Sequence, residues 1–452
     1  MRIIVVGGGK VGFNIAKELE KENHDITVID NRSHVAERIN NLLDVVCVEG
    51  NGADLNVLKE ANVSSSDMLI AATASDEVNI ISCLLATKLG VSNTIARIRN
   101  PEYNNSMALL KDDLGLSMTV NPERLTAREI VRSIRYSNAI KASTLAKGRI
   151  ELAETVIGET NPMAEKTVSQ VMHQYPSSVL VCLVQRGDEV IIPNGNTLIK
   201  KGDHVSIIGR TQDVEHFMIQ TGISEYGDFD EIMVVGGGRI TYYLTYLMDQ
   251  LGVRVKIIEK NEEKCRNLAL TFPNATIIHG DGTDHEFLRS ENLKNMDAFI
   301  ALTDNDEENV IISIYASTQG VKHIIPKVNR FSMDFLYDKF GLANAITPKQ
   351  IAADAVLQYV RAMQNAVGSN VESLVSISEK GVEALEFRVR ENCSFIGKPL
   401  KELTFKKGIL IGYIFRGRNP EIATGDSYLQ VGDTVVVVSA IPMLRDINDV
   451  LA

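Results

Sequence analysis

A glycine-rich turn between two apolar runs constrains this chain more than any other feature, and it is met first at the N-terminus. Ile3-Ile4-Val5-Val6 leads into Gly7-Gly8-Gly9-Lys10-Val11-Gly12, then an amphipathic segment, then a second apolar run closing on Asp30. The order predicts strand, turn, helix, strand. Gly7, Gly9 and Gly12 hold the G-x-G-x-x-G positions, where a tight turn, close approach of a pyrophosphate and close helix packing each exclude a side chain. A helix opening there aims free N–H groups at phosphate. Asp30 stands about 20 residues on, where a carboxylate accepts hydrogen bonds from a ribose 2′-hydroxyl, which favours NAD or another unphosphorylated adenosine over NADP.

From Ile232 the pattern begins again. Ile232-Met233-Val234-Val235-Gly236-Gly237-Gly238-Arg239-Ile240-Thr241 echoes Ile3 to Gly12, and Glu259 falls where Asp30 did. Further on, Gly280 to Asp284 answers Gly50 to Asp54, Thr303 answers Thr73, Asn309 answers Asn79 and Lys327 answers Arg97. Strands alternating with helices at this spacing force parallel pairing. A helical stretch from Pro101 to Asp113, a short strand near Met118 to Val120 and a helix opening at Pro122 complete the first unit near Tyr136. Beyond it, Val179 to Val184, Val190 to Ile192 and His204 to Ile208 are separated by the turns Arg186-Gly187-Asp188, Asn194-Gly195-Asn196 and Lys201-Gly202-Asp203, which indicates a small, mainly antiparallel α+β module. Arg416-Gly417, Gly425 and Gly432-Asp433 repeat it. The expected fold is α/β, a tandem duplication: Rossmann-like parallel-sheet lobes at 1–137 and 226–364, each followed by a small α+β lobe, at 138–225 and 365–452.

Composition excludes several classes. A net charge of −11 over 452 residues repels nucleic acid, and no stretch of lysine or arginine offsets it. The five cysteines, at 47, 83, 182, 265 and 393, lack C-x-x-C spacing and read as buried, reduced thiols of a cytosolic protein. No apolar stretch approaches the length of a membrane span, so membrane association has to come through a protein partner. His279, Asp281, Asp284 and His285 crowd together with side chains that can ligate zinc. The first half has Glu49, Asn51 and Asp54 in the same frame and no histidine, so the expected reading is a nucleotide-rim loop and no metal. The acidic run Asp304 to Glu308 lacks the spacing of a calcium loop and reads as the first turn of a helix.

The G-G-G-K-V-G turn with its acid, the T-x-S-D-E-x-N stretch from Thr73 to Asn79, the I-A-R-I-R-N-P-E-Y run from Ile95 to Tyr103 and the two trailing G-D-x-V modules together resemble the TrkA family, the nucleotide-binding subunits of bacterial and archaeal Trk potassium uptake systems. The resemblance covers essentially the whole chain and implies that each half is an RCK (KTN) unit, an N-lobe followed by a C-lobe. It implies a cytosolic homo-oligomeric ring, usually a tetramer, at the inner face of the cell membrane. The ring docks beneath a TrkH-like potassium channel or transporter subunit and switches it in response to NAD or NADH, or to ATP and ADP. Carried over by position, the phosphate loop is Gly7, Gly8, Gly9, Lys10, Val11 and Gly12. Asp30 is the ribose acid with Asn31 beside it, Asn51 lies on the adenine rim, Thr73 and Ala74 edge the cleft, and Arg97 reaches phosphate from the fifth strand. The second site is Gly236, Gly238, Arg239, Glu259, Asp281, Thr303 and Lys327. Thr241 stands where its third glycine belongs, and a β-branched side chain there is expected to push the helix from the strand. The resemblance favours an occupied second site and this substitution opposes it.

An enzyme is the rival reading, since the same fold serves hydride transfer. A dehydrogenase needs an acid or base beside the nicotinamide. The modules that follow both nucleotide units carry no catalytic cluster in their sequence, and none of the eight histidines recurs between halves. The expectation is a regulatory protein without catalytic residues, with an NAD-dependent oxidoreductase, or a regulator of a different cation transporter or efflux system, as the alternatives.

Overall fold

The structure, a computed structural model, describes the chain apart from residues 104–109, 111–112, 136–138, 146–148, 224–228, 330–341, 343, 367–370, 379–380, 418, 442–443 and 445. Most of the stretch expected to be helical between Pro101 and Asp113 therefore lies outside the described residues, as does Tyr136. The chain divides into two compact units, Met1–Ile134 with Asp228–Leu357, and Arg135–Gly227 with Gln358–Ala452. Each unit pairs corresponding parts of the two halves.

In the first unit six parallel strands, Arg2–Val6, Asp25–Asp30, Val46–Glu49, Met68–Ala71, Asn93–Arg97 and Met118–Val120, lie in the spatial order third, second, first, fourth, fifth, sixth. Ile3 faces Ile26 on one side and Met68 on the other. The continuous apolar runs follow from burial on both sheet faces. The second half builds the same order from Glu231–Val235, Arg254–Glu259, Thr276–His279, Ala298–Ala301 and His323–Pro326. Side chains close the helix starts that frame the crevices. Ser75 accepts the Val78 N–H at 3.2 Å, and Asn305 accepts those of Glu307 and Glu308. The acidic run Asp304 to Glu308 thus surrounds the opening turn of the helix Asp306–Thr318.

Two further helices tie the halves of this unit together. Pro122–Arg135 opens on a proline, whose missing N–H costs nothing in the first turn. Its apolar face, Ala127, Ile130 and Ile134, is buried among Ile232, Val234 and Ile257 of the second half's sheet. Asn121, just before it, donates to the Tyr243 hydroxyl at 2.9 Å, and that hydroxyl donates to the Arg99 carbonyl at 3.1 Å. Reciprocally, Asn14 donates to Gln350 Oε1 at 3.0 Å, at the start of the helix Pro348–Ala366. The helix opening at Pro122, expected from sequence to complete the first lobe, thus lends its buried face to the core of the other half.

In the second unit each half contributes a five-stranded antiparallel sheet, led by Val179–Arg186 and His204–Gly209 in one and by Ile409–Arg416 and Thr434–Ser439 in the other. Cys182, Ile208, Tyr413 and Val436 meet in one core shared by both sheets. The Gly-Asp turns have a specific task. Asp203 is fully buried and takes a two-pronged bond from Arg186, at 2.8 and 2.7 Å, while Arg186 also donates to the Leu198 carbonyl. Arg416 and Asp433 repeat the arrangement at 3.3 and 3.1 Å. All five cysteines are free thiols. Four are buried and Cys47 is half-buried, and burial pushes Cys83 and Cys182 up to about 12.

Candidate functional site

Both parallel sheets reverse their strand order at the first strand, and the crevice at the carboxyl ends of the strands opens there. Gly7 follows the first strand at φ +96°, and a Cβ on it would lie 2.9 Å from the Thr73 backbone. Gly12 is closed more tightly, with the Gly7 carbonyl oxygen 1.8 Å from where a Cβ would sit. Gly8 turns inward and donates its N–H to Asp30 Oδ2 at 2.7 Å, and a Cβ there would strike Ile39 and Val35. These three glycines answer to the protein's own packing.

Gly9 does not. Its φ of −67° and ψ of −171° suit any residue, and a Cβ would meet no protein atom nearer than Arg32 Nη2 at 4.0 Å. Gly238 is alike, at φ −83° and ψ −171° with nothing within 4 Å. Neither glycine is required by fold or by neighbours. Bare backbone at a helix start, facing open space, is what a pyrophosphate needs to approach the N–H groups.

That open space is a cavity of about 1390 Å³ shared by both halves of the unit. Gly7, Gly9, Lys10, Val11, Asp30, Asn31, Asn51, Thr73, Ala74 and Arg97 line it from the first half, and Gly238, Arg239 and Lys327 from the second. Gly8, Gly12, Gly236, Glu259, Asp281 and Thr303 are not on its wall. Glu259 accepts the Gly237 and Asn261 N–H groups at 2.6 and 2.7 Å. Asp281 accepts the Thr283 N–H at 3.0 Å and pairs with Lys260 at 3.5 Å. Gly236, at φ +103°, packs on the Leu302 carbonyl, and Thr303 hydrogen-bonds Asn309 at 2.8 Å.

Thr241 is accommodated differently from the expectation. It is fully buried and its hydroxyl donates to the Gly236 carbonyl, so the position that is sterically closed in the first half carries a hydrogen bond in the second.

At the ribose end, Asp30 is buried and accepts N–H bonds from Gly8 and Arg32 and a two-pronged bond from the Arg32 guanidinium, both prongs at 2.9 Å. Burial by itself would raise this carboxyl, but the Arg32 guanidinium and the two backbone donors outweigh it and hold it below the ordinary carboxylate value. Arg32 is not among the residues expected at the site, and its only sequence signal is a basic residue two positions past the acid.

At the phosphate end the cations come from both halves. Burial lowers Arg97, Glu123 opposes the shift, and Arg99 and Arg239 add to it. Its Nη1 is 3.4 Å from the Thr73 carbonyl and its Nη2 3.7 Å from Glu123, and Nε has no partner among the described residues. Lys327 is likewise lowered by burial, against Asp304 and Asp306, and Lys10 pushes it further down. Each half's loop cation thus acts on the other half's fifth-strand cation. An anion between them relieves the repulsion.

The edge of the cleft is bolted in place by Asn79, which is fully buried. Its Oδ1 accepts the Thr73 N–H at 2.8 Å and the Thr73 hydroxyl at 2.7 Å, and its Nδ2 donates to the Arg97 carbonyl at 2.8 Å. The conspicuous histidines serve other ends. His279 bonds the Lys260 carbonyl, Asp284 caps the helix His285–Ser290, and His285 stacks on Tyr315 with ring centroids 4.1 Å apart. Among the described residues no three His, Cys, Asp or Glu side chains are grouped to hold a metal, and no helix is long and apolar enough to cross a membrane.

Comparison with known proteins agrees with this architecture. The TrkA-N domain model matches residues 3–122 and 232–348, and the TrkA-C domain model matches 152–218 and 384–451. The chain is 32% identical over 448 residues to the Trk system potassium uptake protein TrkA homolog 1 of Methanosarcina mazei, covering 97% of each chain. It is 32% identical over 450 residues to the TrkA homolog of Archaeoglobus fulgidus, covering 100% of each. Among solved structures, the GsuK channel bound to NAD matches with a TM-score of 0.64 at 18% identity, over 97% of this chain and 76% of that one. The GsuK RCK domain matches at 0.61 and 16% identity, over 97% and 92%. With two TrkA-N and two TrkA-C segments in alternation and full-length relatives at this identity, the chain belongs to the TrkA family.

Proposed function

We propose that this protein is a nucleotide-sensing regulatory subunit of a potassium-uptake system. It binds NAD(H), or ATP and ADP, in the first cleft and gates a TrkH-like membrane channel or transporter subunit without transforming the nucleotide. One observation carries the ligand class: Gly9 is bare where neither backbone nor packing demands it, so the space above it is reserved for something outside the chain. The names of the relatives support the potassium-uptake role, and GsuK structures bound to NAD and to ADP support adenosine phosphates as ligands.

In this reading Asp30 takes the ribose, Asn51 the adenine rim, Gly9 and the N–H groups at Lys10 and Val11 the phosphates, and Arg97 with Arg239 any terminal phosphate. The second half contributes Gly238, Arg239 and Lys327 to the shared wall, while its acid Glu259 and rim residue Asp281 lie off that wall and Asp30 and Asn51 lie on it, so we assign the adenosine to the first cleft. A ligand moves a two-state protein only by its difference in affinity for the two states. Because the phosphate end draws cations from both halves, phosphate number sets how strongly the halves are drawn together, and the partner subunit reads that difference. The protein acts in the cytoplasm, at the membrane through its partner. The four-module division at 1–137, 138–225, 226–364 and 365–452 is part of the same proposal.

Calorimetric titration of the purified chain with NADH, NAD⁺, ATP and ADP, followed by assay for their consumption, tests it. Binding that distinguishes these nucleotides without turnover is the expected result. Consumption of a bound nucleotide, or no binding of any, overturns the reading.

A further inference from the structure

A second cavity in the first unit, about 640 Å³, lies beside the nucleotide crevice, between the helices Lys10–Lys21 and Ser33–Leu42 of the first half and the start of Pro348–Ala366 from the second. Lys10, Lys17 and Lys21 line it from one helix face, Arg38 from the next helix, and Lys349 from the third. Among the described residues Glu18 is the one acid on its wall, and it is paired with Lys21 at 2.7 Å. Among the described residues neither Lys10 nor Lys17 has an acidic ion-pair partner. Burial lowers the Lys349 ammonium, Asp306 opposes this, and Lys10 and Lys17 lower it further. Phe13 forms part of the floor, with the Arg38 guanidinium 5.2 Å from its ring centroid. The sequence reading finds no basic stretch to set against the chain's net charge of −11, because these residues come together only in the fold.

The duplication supplies an internal control. In the second half the places of Lys17, Lys21 and Arg38 are taken by Tyr246, Gln250 and Asn267, and the place of Lys349 in the reciprocal groove is taken by Glu123. The same helices therefore fold without these charges. Only the position of Lys10, matched by Arg239, is cationic in both, and that residue belongs to the phosphate end of the crevice. Of the four cations peculiar to this copy, Lys21 is paired with Glu18, and Lys17, Arg38 and Lys349 gather like charge that an anion offsets.

We propose that this groove is a second ligand site, adjoining the nucleotide crevice and sharing Lys10 and Lys349 with it, for a small soluble polyanion carrying at least two phosphate-like groups. Lys10 to Lys21 span about 16 Å along the helix, more than one phosphate bridges. The volume falls within the range of small-molecule pockets. A ligand there touches the first half through Lys17 and Arg38 and the second through Lys349, so it braces the same junction that the nucleotide acts on.

The test is calorimetric titration of the full chain with tripolyphosphate, with NADH saturating the crevice, comparing wild type with the double variant Lys17→Gln and Arg38→Gln. The expected result is one tripolyphosphate per chain, an affinity at least tenfold weaker in the variant, unchanged NADH affinity, and a melting temperature no lower than that of the wild type. Equal affinity in both proteins would place the anion in the crevice and overturn the proposal, as would no binding to wild type. Binding to phosphatidylglycerol vesicles without binding of free tripolyphosphate would overturn it in favour of a membrane contact. If NADH itself does not bind, the nucleotide reading fails, and the same comparison without NADH decides the groove.

Discussion

At the scale of single residues, the glycines of the first turn divide by what excludes a side chain from them. Gly12→Ala places a methyl group 1.8 Å from a carbonyl oxygen, which costs about 2–4 kcal/mol or breaks the turn. Gly9→Val meets only the cavity. Its melting temperature should stay at the wild-type value, while nucleotide affinity falls about a hundredfold or more, equivalent to at least about 2.7 kcal/mol. Thermal melts and calorimetry on the two variants read the difference, and a Gly9→Val protein that binds nucleotide normally removes the basis of the site assignment. Asn79→Ala leaves the part-buried Thr73 N–H and Arg97 carbonyl without their side-chain partner and should cost about 1–3 kcal/mol in a denaturant melt. Lys327 adds a pH dependence with a defined sign. Phosphate favours the ammonium form, and burial has already lowered the proton affinity of this group in the free protein. Affinity for a nucleotide whose phosphates reach Lys327 should therefore fall on raising the pH at values below those at which an ordinary lysine loses its proton, and Lys327→Met should flatten the profile.

At the scale of elements, the helix Pro122–Arg135 shows how far the sequence could be read. Ala127, Ile130 and Ile134 have helical spacing, so the existence of an amphipathic helix from Pro122 is legible in the chain. Periodicity fixes which face is buried and says nothing of which sheet buries it, and the answer is the sheet of the other half. The local motifs were legible for a related reason. A strand, a Gly7-Gly9-Gly12 turn, a helix and Asp30 lie within 30 consecutive residues, where spacing alone determines proximity. Arg239 beside Arg97, or Lys349 beside Lys10 and Lys17, are neighbours only because two distant segments cross. Ile130→Ala should accordingly cost about 2–5 kcal/mol and loosen the junction between halves. Tyr243→Phe removes only the hydroxyl bridge between Asn121 and the Arg99 carbonyl, for about 1 kcal/mol. Hydrogen exchange should show the first variant deprotecting the first strands of the second sheet, and the second variant leaving them protected.

At the scale of the whole molecule, duplication leaves matching apolar surface on the two halves. The helices Asp76–Lys88 and Asp306–Thr318 bury Cys83, Ala86, Ile312 and Ala316 inward, yet Ile81 and Ile311 stand 45% and 56% exposed on their outer sides. A helix apolar on all sides belongs in a buried setting, and here the single chain covers only one side of each. Two such surfaces per chain are what a closed ring requires, one to each neighbour, whereas one surface would stop at a pair. We propose these two faces as the subunit contacts of the ring that the family resemblance implies. Ile81→Asp alone should leave one surface intact and reduce the assembly to dimers, and Ile81→Asp with Ile311→Asp should give monomers, each with nucleotide affinity preserved because neither residue lines the crevice. Light scattering on a sizing column reads the mass directly. An assembly unchanged by the double substitution would move the subunit contacts elsewhere on the chain, and loss of nucleotide binding alongside dissociation would show that the crevice is completed only by the neighbouring subunit.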